Sequence, residues 1–107
     1  MQKLNWDNPE NKRLIKAILA LKNASEARHF LRDLLTEKEI IEFGKRLQTA
    51  EMLTDNIPYT QIEKQTGLSS TTIARVAKWL NGQEGGYRAV IGRLHHGNPK
   101  LQSRRGL

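Results

Sequence analysis

The chain has 107 residues, a net charge of +7, no cysteine and 37% hydrophobic residues. The absence of cysteine excludes disulfides and thiolate metal sites, and it suits a reducing compartment. No stretch approaches the roughly 20 apolar residues of a membrane span, and the polar start lacks the apolar core of a secretion signal. We therefore expect one cytoplasmic domain, whose sparse apolar content predicts association with a partner subunit.

The front half of the chain is predicted to form three helices. Asn8 and Pro9 supply a cap and a first-turn proline for the first helix. A second, amphipathic helix follows the break at residues 23–25, with apolar residues at three- and four-residue spacing. Thr36 opens the third helix, and because Glu39 stands three residues later, the pair predicts a capping box.

Helical signals continue in the back half. Two short helices are predicted at about residues 60–66 and 70–81, and a last helix at Tyr87–Leu94 follows a Gly-rich break. No strand pattern or repeat occurs, so the predicted class is all-α with about six helices. We assign residues 1–94 to one helical domain and residues 95–107 to a flexible basic tail.

Charge separates the two halves. Residues 1–58 contain ten Lys and Arg against nine Asp and Glu, whereas residues 59–107 contain eight against two. A nearly neutral front half and a basic back half indicate a scaffold joined to a surface for polyanions. Simple solubility is the alternative interpretation of the same charges.

The segment from Tyr59 to Leu80 has the pattern of a helix-turn-helix, YTQIEKQTGLSSTTIARVAKWL. Thr60 and Glu63 predict a capping box for its first helix, and Gly67 falls at the turn, where a positive φ is expected. Ser69 or Ser70 caps the second helix. The predicted buried residues of the second helix are Ile73, Val76, Ala77 and Leu80.

Exposed residues of this segment suit contact with double-stranded DNA. Arg75 can bind guanine through two hydrogen bonds or hold a phosphate, and Lys64 and Lys78 are expected at phosphates. An ordinary helical hairpin with a glycine turn is the alternative, but the caps, hydroxyls and basic residues together favour DNA. The predicted contact residues are Thr60, Gln61, Lys64, Ser69, Ser70, Thr71, Thr72, Arg75 and Lys78.

The run from Leu35 to Asn81, including GLSSTTIARV and followed by GGY, resembles the Trp repressor family. It is most similar to the branch of small proteins called YerC/YecD, and the resemblance covers roughly Ala24 to Leu94. The resemblance implies an intertwined all-α homodimer whose two second helices enter successive major grooves.

The same resemblance implies a candidate effector pocket. In family repressors a threonine and two arginines surround bound tryptophan, and Thr36, Arg46 and Arg75 match those positions. Val76 and Trp79 stand where the family has a glycine and a serine, and both add volume there. We therefore hypothesise that free tryptophan is not the corepressor and that Trp79 partly fills the site. A role for Trp79 as a dimer-core or surface aromatic is an equal alternative.

Other chemistry finds no support in the sequence. His95 and His96 are adjacent in the predicted tail and cannot both bind one metal from a helix. The acidic residues Glu37, Glu39 and Glu42 are interpreted as a solvated helix face beside the basic residues Lys38, Lys45 and Arg46. No metal, cofactor or enzymatic activity is predicted.

The predicted function is sequence-specific transcriptional regulation by a DNA-binding homodimer, with repression the expected mode. An architectural DNA-binding protein with little sequence preference is the main alternative, and an interaction module that has lost DNA contact is another. The operator, the regulated genes, the sign of regulation and the identity of any small-molecule effector stay open.

Overall fold

A computed structural model describes residues 3–96, and within this range the chain forms six α-helices and no strand. The helices are α1 (Pro9–Leu19), α2 (Ala24–Leu34), α3 (Glu37–Thr54), α4 (Tyr59–Thr66), α5 (Ser70–Leu80) and α6 (Gly86–His96). The all-α class and the helix number predicted from the sequence are confirmed. The chain divides between Ile40 and Ile41 into two compact units.

The first unit contains α1, α2 and the start of α3. Pro9 occupies the first turn of α1, and Asn23 caps α2 by accepting a hydrogen bond from the Glu26 N–H at 2.9 Å. Neither α1 nor α2 contains a buried residue. Their large apolar side chains stay exposed in the single chain, namely Leu14, Ile15, Ile18, Leu19, Leu31 and Leu34.

The capping box predicted at the start of α3 is confirmed. The Glu39 N–H donates to Thr36 Oγ1 at 3.1 Å, and the Thr36 N–H donates to Glu39 Oε1 at 2.9 Å. Hydrogen bonding of the carboxyl with the backbone N–H of Thr36, and secondarily with its side chain, lowers the pKa of Glu39. The two reciprocal hydrogen bonds thereby satisfy two backbone N–H donors at the start of α3.

This box predicts a pH-dependent contribution to stability. Because the pKa of Glu39 is lowered on folding, the contribution is present above the unfolded-state pKa and is lost as the pH falls through the folded-state pKa. We expect Glu39→Gln to lower the unfolding temperature at neutral pH and to remove this part of the acid-dependent loss. Thermal unfolding over an acidic pH series measures both effects. Glu37→Gln leaves the box intact and should retain the acid-dependent loss.

The second unit has a small core made by three helices. Ala50 of α3, Val76 and Leu80 of α5, and Ile91 of α6 form one buried cluster. Partly buried side chains pack against this cluster, namely Leu47, Leu53 and Tyr87. So few buried side chains supply only part of the hydrophobic stabilisation that a domain of this length usually has.

The end of α6 departs from the sequence-based prediction. The helix continues through His95 and His96, so the predicted end at Leu94 is wrong. The side chain of His95 is only 13% exposed, and its Nε2 lies 3.6 Å from Glu51 Oε2. This contact with α3 makes His95 part of the folded unit. The rest of the predicted tail, including its basic residues at 100, 104 and 105, lies outside the described residues.

Within residues 3–96, no helix is both long enough and apolar enough to cross a bilayer.

Candidate nucleic-acid interface

Helices α4 and α5 form the two arms of the predicted helix-turn-helix. Gly67 ends α4 with a left-handed backbone (φ 75°), and its N–H donates to the Glu63 carbonyl at 2.9 Å. Glycine adopts this conformation without the steric penalty that a Cβ atom brings. The glycine turn predicted from the sequence is therefore confirmed.

The cap of α5 is Ser69, one of the two serines predicted for this role. The Thr72 N–H donates to Ser69 Oγ at 3.2 Å, and the Ser69 hydroxyl donates to Thr72 Oγ1 at 3.1 Å. The hydroxyl proton of Ser69 is thus used in a hydrogen bond to Thr72, within the first turn of α5. This engagement makes Ser69 a weaker candidate for a donor to DNA than Ser70 or Thr71, which are exposed.

The capping box predicted at Thr60 and Glu63 is wrong. Helix α4 already begins at Tyr59, its cap position is Pro58, and no side chain caps it. The Pro58 carbonyl accepts hydrogen bonds from the N–H groups of Gln61 and Ile62, both at 3.1 Å. Because the proline sets an extended entry one residue upstream, Thr60 lies inside the helix.

Packing between α4 and α5 depends on residues predicted to be buried. Ile62, Ile73 and Val76 are fully buried and Leu80 nearly so, whereas Ala77 is half-buried. Thr66, which the sequence analysis did not single out, is also buried. Its hydroxyl donates to the Ile62 carbonyl at 2.7 Å and accepts from the Leu68 N–H at 3.1 Å.

The opposite face of α5 is exposed. Thr71, Arg75 and Lys78 follow one another by four and three residues, so they share one side of the helix, away from the buried residues. We call these three residues the reading face. Of the other predicted DNA contacts, Thr72 is half-buried and the following are exposed: Thr60, Gln61, Lys64, Ser69 and Ser70.

Electrostatics and geometry together suit a polyanion. The N-terminal end of α5 presents the exposed residues Ser70 and Thr71, and the positive end of a helix dipole attracts phosphate. Arg75 and Lys78 add two positive charges along the same helix. Such a surface can hold a phosphate backbone and place a guanidinium at a base edge.

Of the candidate effector pocket, the residues Arg46, Arg75, Val76 and Trp79 lie in the second unit, where they are only partly brought together. Arg46 of α3 and Trp79 of α5 are in contact, with the guanidinium carbon 5.8 Å from the centroid of the indole ring. Val76 is fully buried in the core. Arg75 is exposed on the reading face. Thr36 belongs to the first unit, where its hydroxyl accepts the capping hydrogen bond from the Glu39 N–H.

Arg46 has two further neighbours on its own helix, of which the sequence analysis anticipates Glu42 but not Phe43. Its Nη2 donates to Glu42 Oε2 at 2.9 Å, and its guanidinium carbon lies 5.7 Å from the centroid of the Phe43 ring. Glu42 is therefore an ion-pair partner rather than only part of a solvated acidic face. Both contacts follow from helical spacing, since Glu42 precedes Arg46 by four residues and Phe43 precedes it by three.

An open apolar groove of about 680 Å³ adjoins Trp79. Burial raises the pKa of the Tyr87 hydroxyl in this groove, and the positive charge of Arg46 opposes that rise. The groove, which we call the α5–α6 groove, is lined by Leu47, Lys78, Trp79, Gly82, Gln83, Glu84, Gly86, Tyr87 and Val90.

Over residues 3–96, no cluster of three or more His, Asp or Glu side chains is arranged to hold a metal ion. His29, on α2, uses its Nδ1 in a 2.7 Å hydrogen bond with the Ser25 carbonyl.

Comparison with known proteins places this architecture in a family. The family model described as Trp repressor protein matches residues 10–95. The chain is 38% identical over 81 residues to the uncharacterized protein YerC of Bacillus subtilis, covering 76% of this chain and 78% of YerC. It also resembles the crystal structure of a TrpR-like protein from Eubacterium eligens, with a TM-score of 0.78, 38% identity and coverage of 83% and 92% of the two chains. The chain therefore belongs to the Trp repressor family, in its YerC-like branch.

Proposed function

We propose that this protein is a sequence-specific, DNA-binding transcriptional regulator that acts as a homodimer and uses α5 to read the major groove. The observation that carries the proposal is the exposed reading face of Thr71, Arg75 and Lys78, opposite a buried stripe on the same helix. Membership of the Trp repressor family supports it, since DNA-binding regulation fits that family. The proposal includes no enzymatic activity, and repression is its expected mode.

Selection of bound sites from random double-stranded DNA tests this proposal. A regulator of this kind should enrich a two-fold symmetric site whose half-site centres lie about 34–36 Å apart, one helical turn. Its binding should weaken as salt is raised and should favour the selected site over random sequence by roughly a thousandfold or more. Salt-dependent binding without enrichment would favour an architectural protein instead. Complete absence of DNA binding would favour an interaction module.

The proposal also holds that free tryptophan is not the corepressor. Its support is the contact between Arg46 and Trp79, because the protein's own indole already provides an aromatic partner for that guanidinium. Calorimetric titration with L-tryptophan is expected to give no saturable binding at micromolar concentrations, and the ligand should leave affinity for the selected DNA unchanged. Saturable micromolar binding would contradict this part of the proposal.

A further inference from the structure

Arg46 is held by groups from two helices. On α3 it bonds to Glu42 at 2.9 Å and lies 5.7 Å from the centre of the Phe43 ring, while α5 supplies the indole of Trp79 at 5.8 Å. The Nε of Arg46 is buried and has no hydrogen-bond partner. The Arg46 side chain is 32% exposed, and a guanidinium partly removed from water in this way interacts more strongly with an aromatic ring than a fully hydrated one.

Trp79 links this arrangement to the DNA-facing side of α5. It lies one helical turn after Arg75, and between them stands Val76, which belongs to the buried core. The core contact through Val76 and Leu80 holds α5 close to α3 and α6. The stack on Arg46 adds a second point of attachment on another side of the helix. Two such points restrict rotation of α5 about its axis, and this rotation determines where Arg75 and Lys78 point.

We infer that the indole of Trp79 is a built-in positioning group, which fixes the reading face through its stack on Arg46 and makes DNA binding independent of an aromatic ligand at this place. The inference rests on the proposed DNA-binding function and concerns its regulation. Trp79 touches no DNA in this scheme, so it is a positioning residue.

Truncating Trp79 is expected to create a binding space for a small aromatic molecule. Trp79 lines the α5–α6 groove and is 48% exposed, so truncating it opens an indole-sized space continuous with that groove. The guanidinium of Arg46 would remain at one wall, with Leu47 and Tyr87 in the lining. A planar, uncharged aromatic molecule such as indole fits the chemistry of that space. Free indole should therefore replace the missing side chain.

The experiment compares affinities for the selected DNA site with and without millimolar indole. Trp79→Ala should bind DNA about tenfold more weakly than wild type, and indole should restore most of the loss. Trp79→Phe, which retains a ring, should keep most of the affinity. Trp79→Leu, which keeps apolar volume without a ring, should lose affinity as the alanine variant does. Wild type and Trp6→Ala, a control at an exposed tryptophan of the first unit, should not respond to indole.

A second readout does not depend on DNA. Calorimetry should detect indole binding to Trp79→Ala, and this binding should disappear when Arg46→Met is added. If wild type binds the DNA site but Trp79→Ala and Trp79→Leu bind it equally well, the inference is overturned and the proposed function stands. A loss that neither indole nor phenylalanine restores also overturns it, because that result indicates general damage to the fold. If wild type binds no DNA, the proposed function fails, and a lack of indole binding by Trp79→Ala would separately remove the stacking site.

Discussion

Replacing Arg75 with alanine is expected to weaken binding to the selected DNA site by about 5- to 150-fold for each half-site, equivalent to about 1–3 kcal/mol. Arg75 is exposed in the middle of the reading face, and its guanidinium can donate two hydrogen bonds to one guanine. Loss of such a contact removes both affinity and preference for one base. The variant should therefore tolerate substitution of one base pair in each half-site that wild type rejects.

Lys78→Ala, three residues further along the same face of α5, is expected to lower affinity without changing base preference. A lysine that holds a phosphate contributes similarly to every sequence, so this variant should bind all sites more weakly without a change of preference. The slope of affinity against salt should fall by about one for each lost phosphate contact. Fluorescence anisotropy at several salt concentrations measures affinity and slope together. Arg13→Ala removes the same charge from α1 and serves as the control.

Two outcomes would contradict the role given to Arg75. If Arg75→Ala changed only the salt slope and left base preference intact, Arg75 would be a phosphate contact, and the specificity would have to come from other residues. If it changed neither, the reading face would not lie against DNA. The second outcome would count against the whole interface, since Thr71 and Lys78 occupy the same side of α5.

The sequence predicted the parts of this structure that depend on neighbouring residues. The capping box of Thr36 and Glu39, the glycine turn at Gly67 and the cap at Ser69 each need only a few consecutive positions, and all three are present. The box expected at Thr60 failed for an equally local reason. Pro58 takes the cap position, so α4 begins at Tyr59, one residue earlier than the pattern of Thr60 and Glu63 predicts.

The sequence pattern does not predict contacts between segments that are far apart along the chain. Nothing in the spacing of residues indicates that Trp79 lies on Arg46, because this contact depends on how α5 packs against α3. His95 illustrates the same limit, since a basic, polar stretch was interpreted as a tail although Glu51 supplies a partner for it. The hypothesis that Trp79 partly fills a pocket to which Arg46 contributes comes from the family resemblance and not from residue spacing, and the 5.8 Å contact agrees with it.

The second large effect is expected from the apolar side chains that the single chain leaves exposed. Helices α1 and α2 bury no residue, although each has an apolar face. Fully burying one Leu or Ile side chain stabilises a fold by about 1.5–3 kcal/mol, so covering these faces with a second copy would add substantially to a small core. Wild type should therefore sediment at twice the 12.2 kDa mass of one chain, with an unfolding temperature that rises with protein concentration.

Leu34→Asp tests this expectation at the apolar face of α2. An unpaired carboxylate at a buried contact is strongly unfavourable, so the variant should sediment as a monomer, unfold at a lower temperature and lose affinity for the two-fold symmetric site. Ser25→Asp places the same charge half a turn around α2 and should remain dimeric. Loss of DNA affinity in Leu34→Asp would follow from separating the two reading faces, since each half-site alone supplies only part of the contacts. A monomeric wild type that still selected a symmetric site would contradict this reasoning, because the spacing of the half-sites would then have no structural origin in the protein.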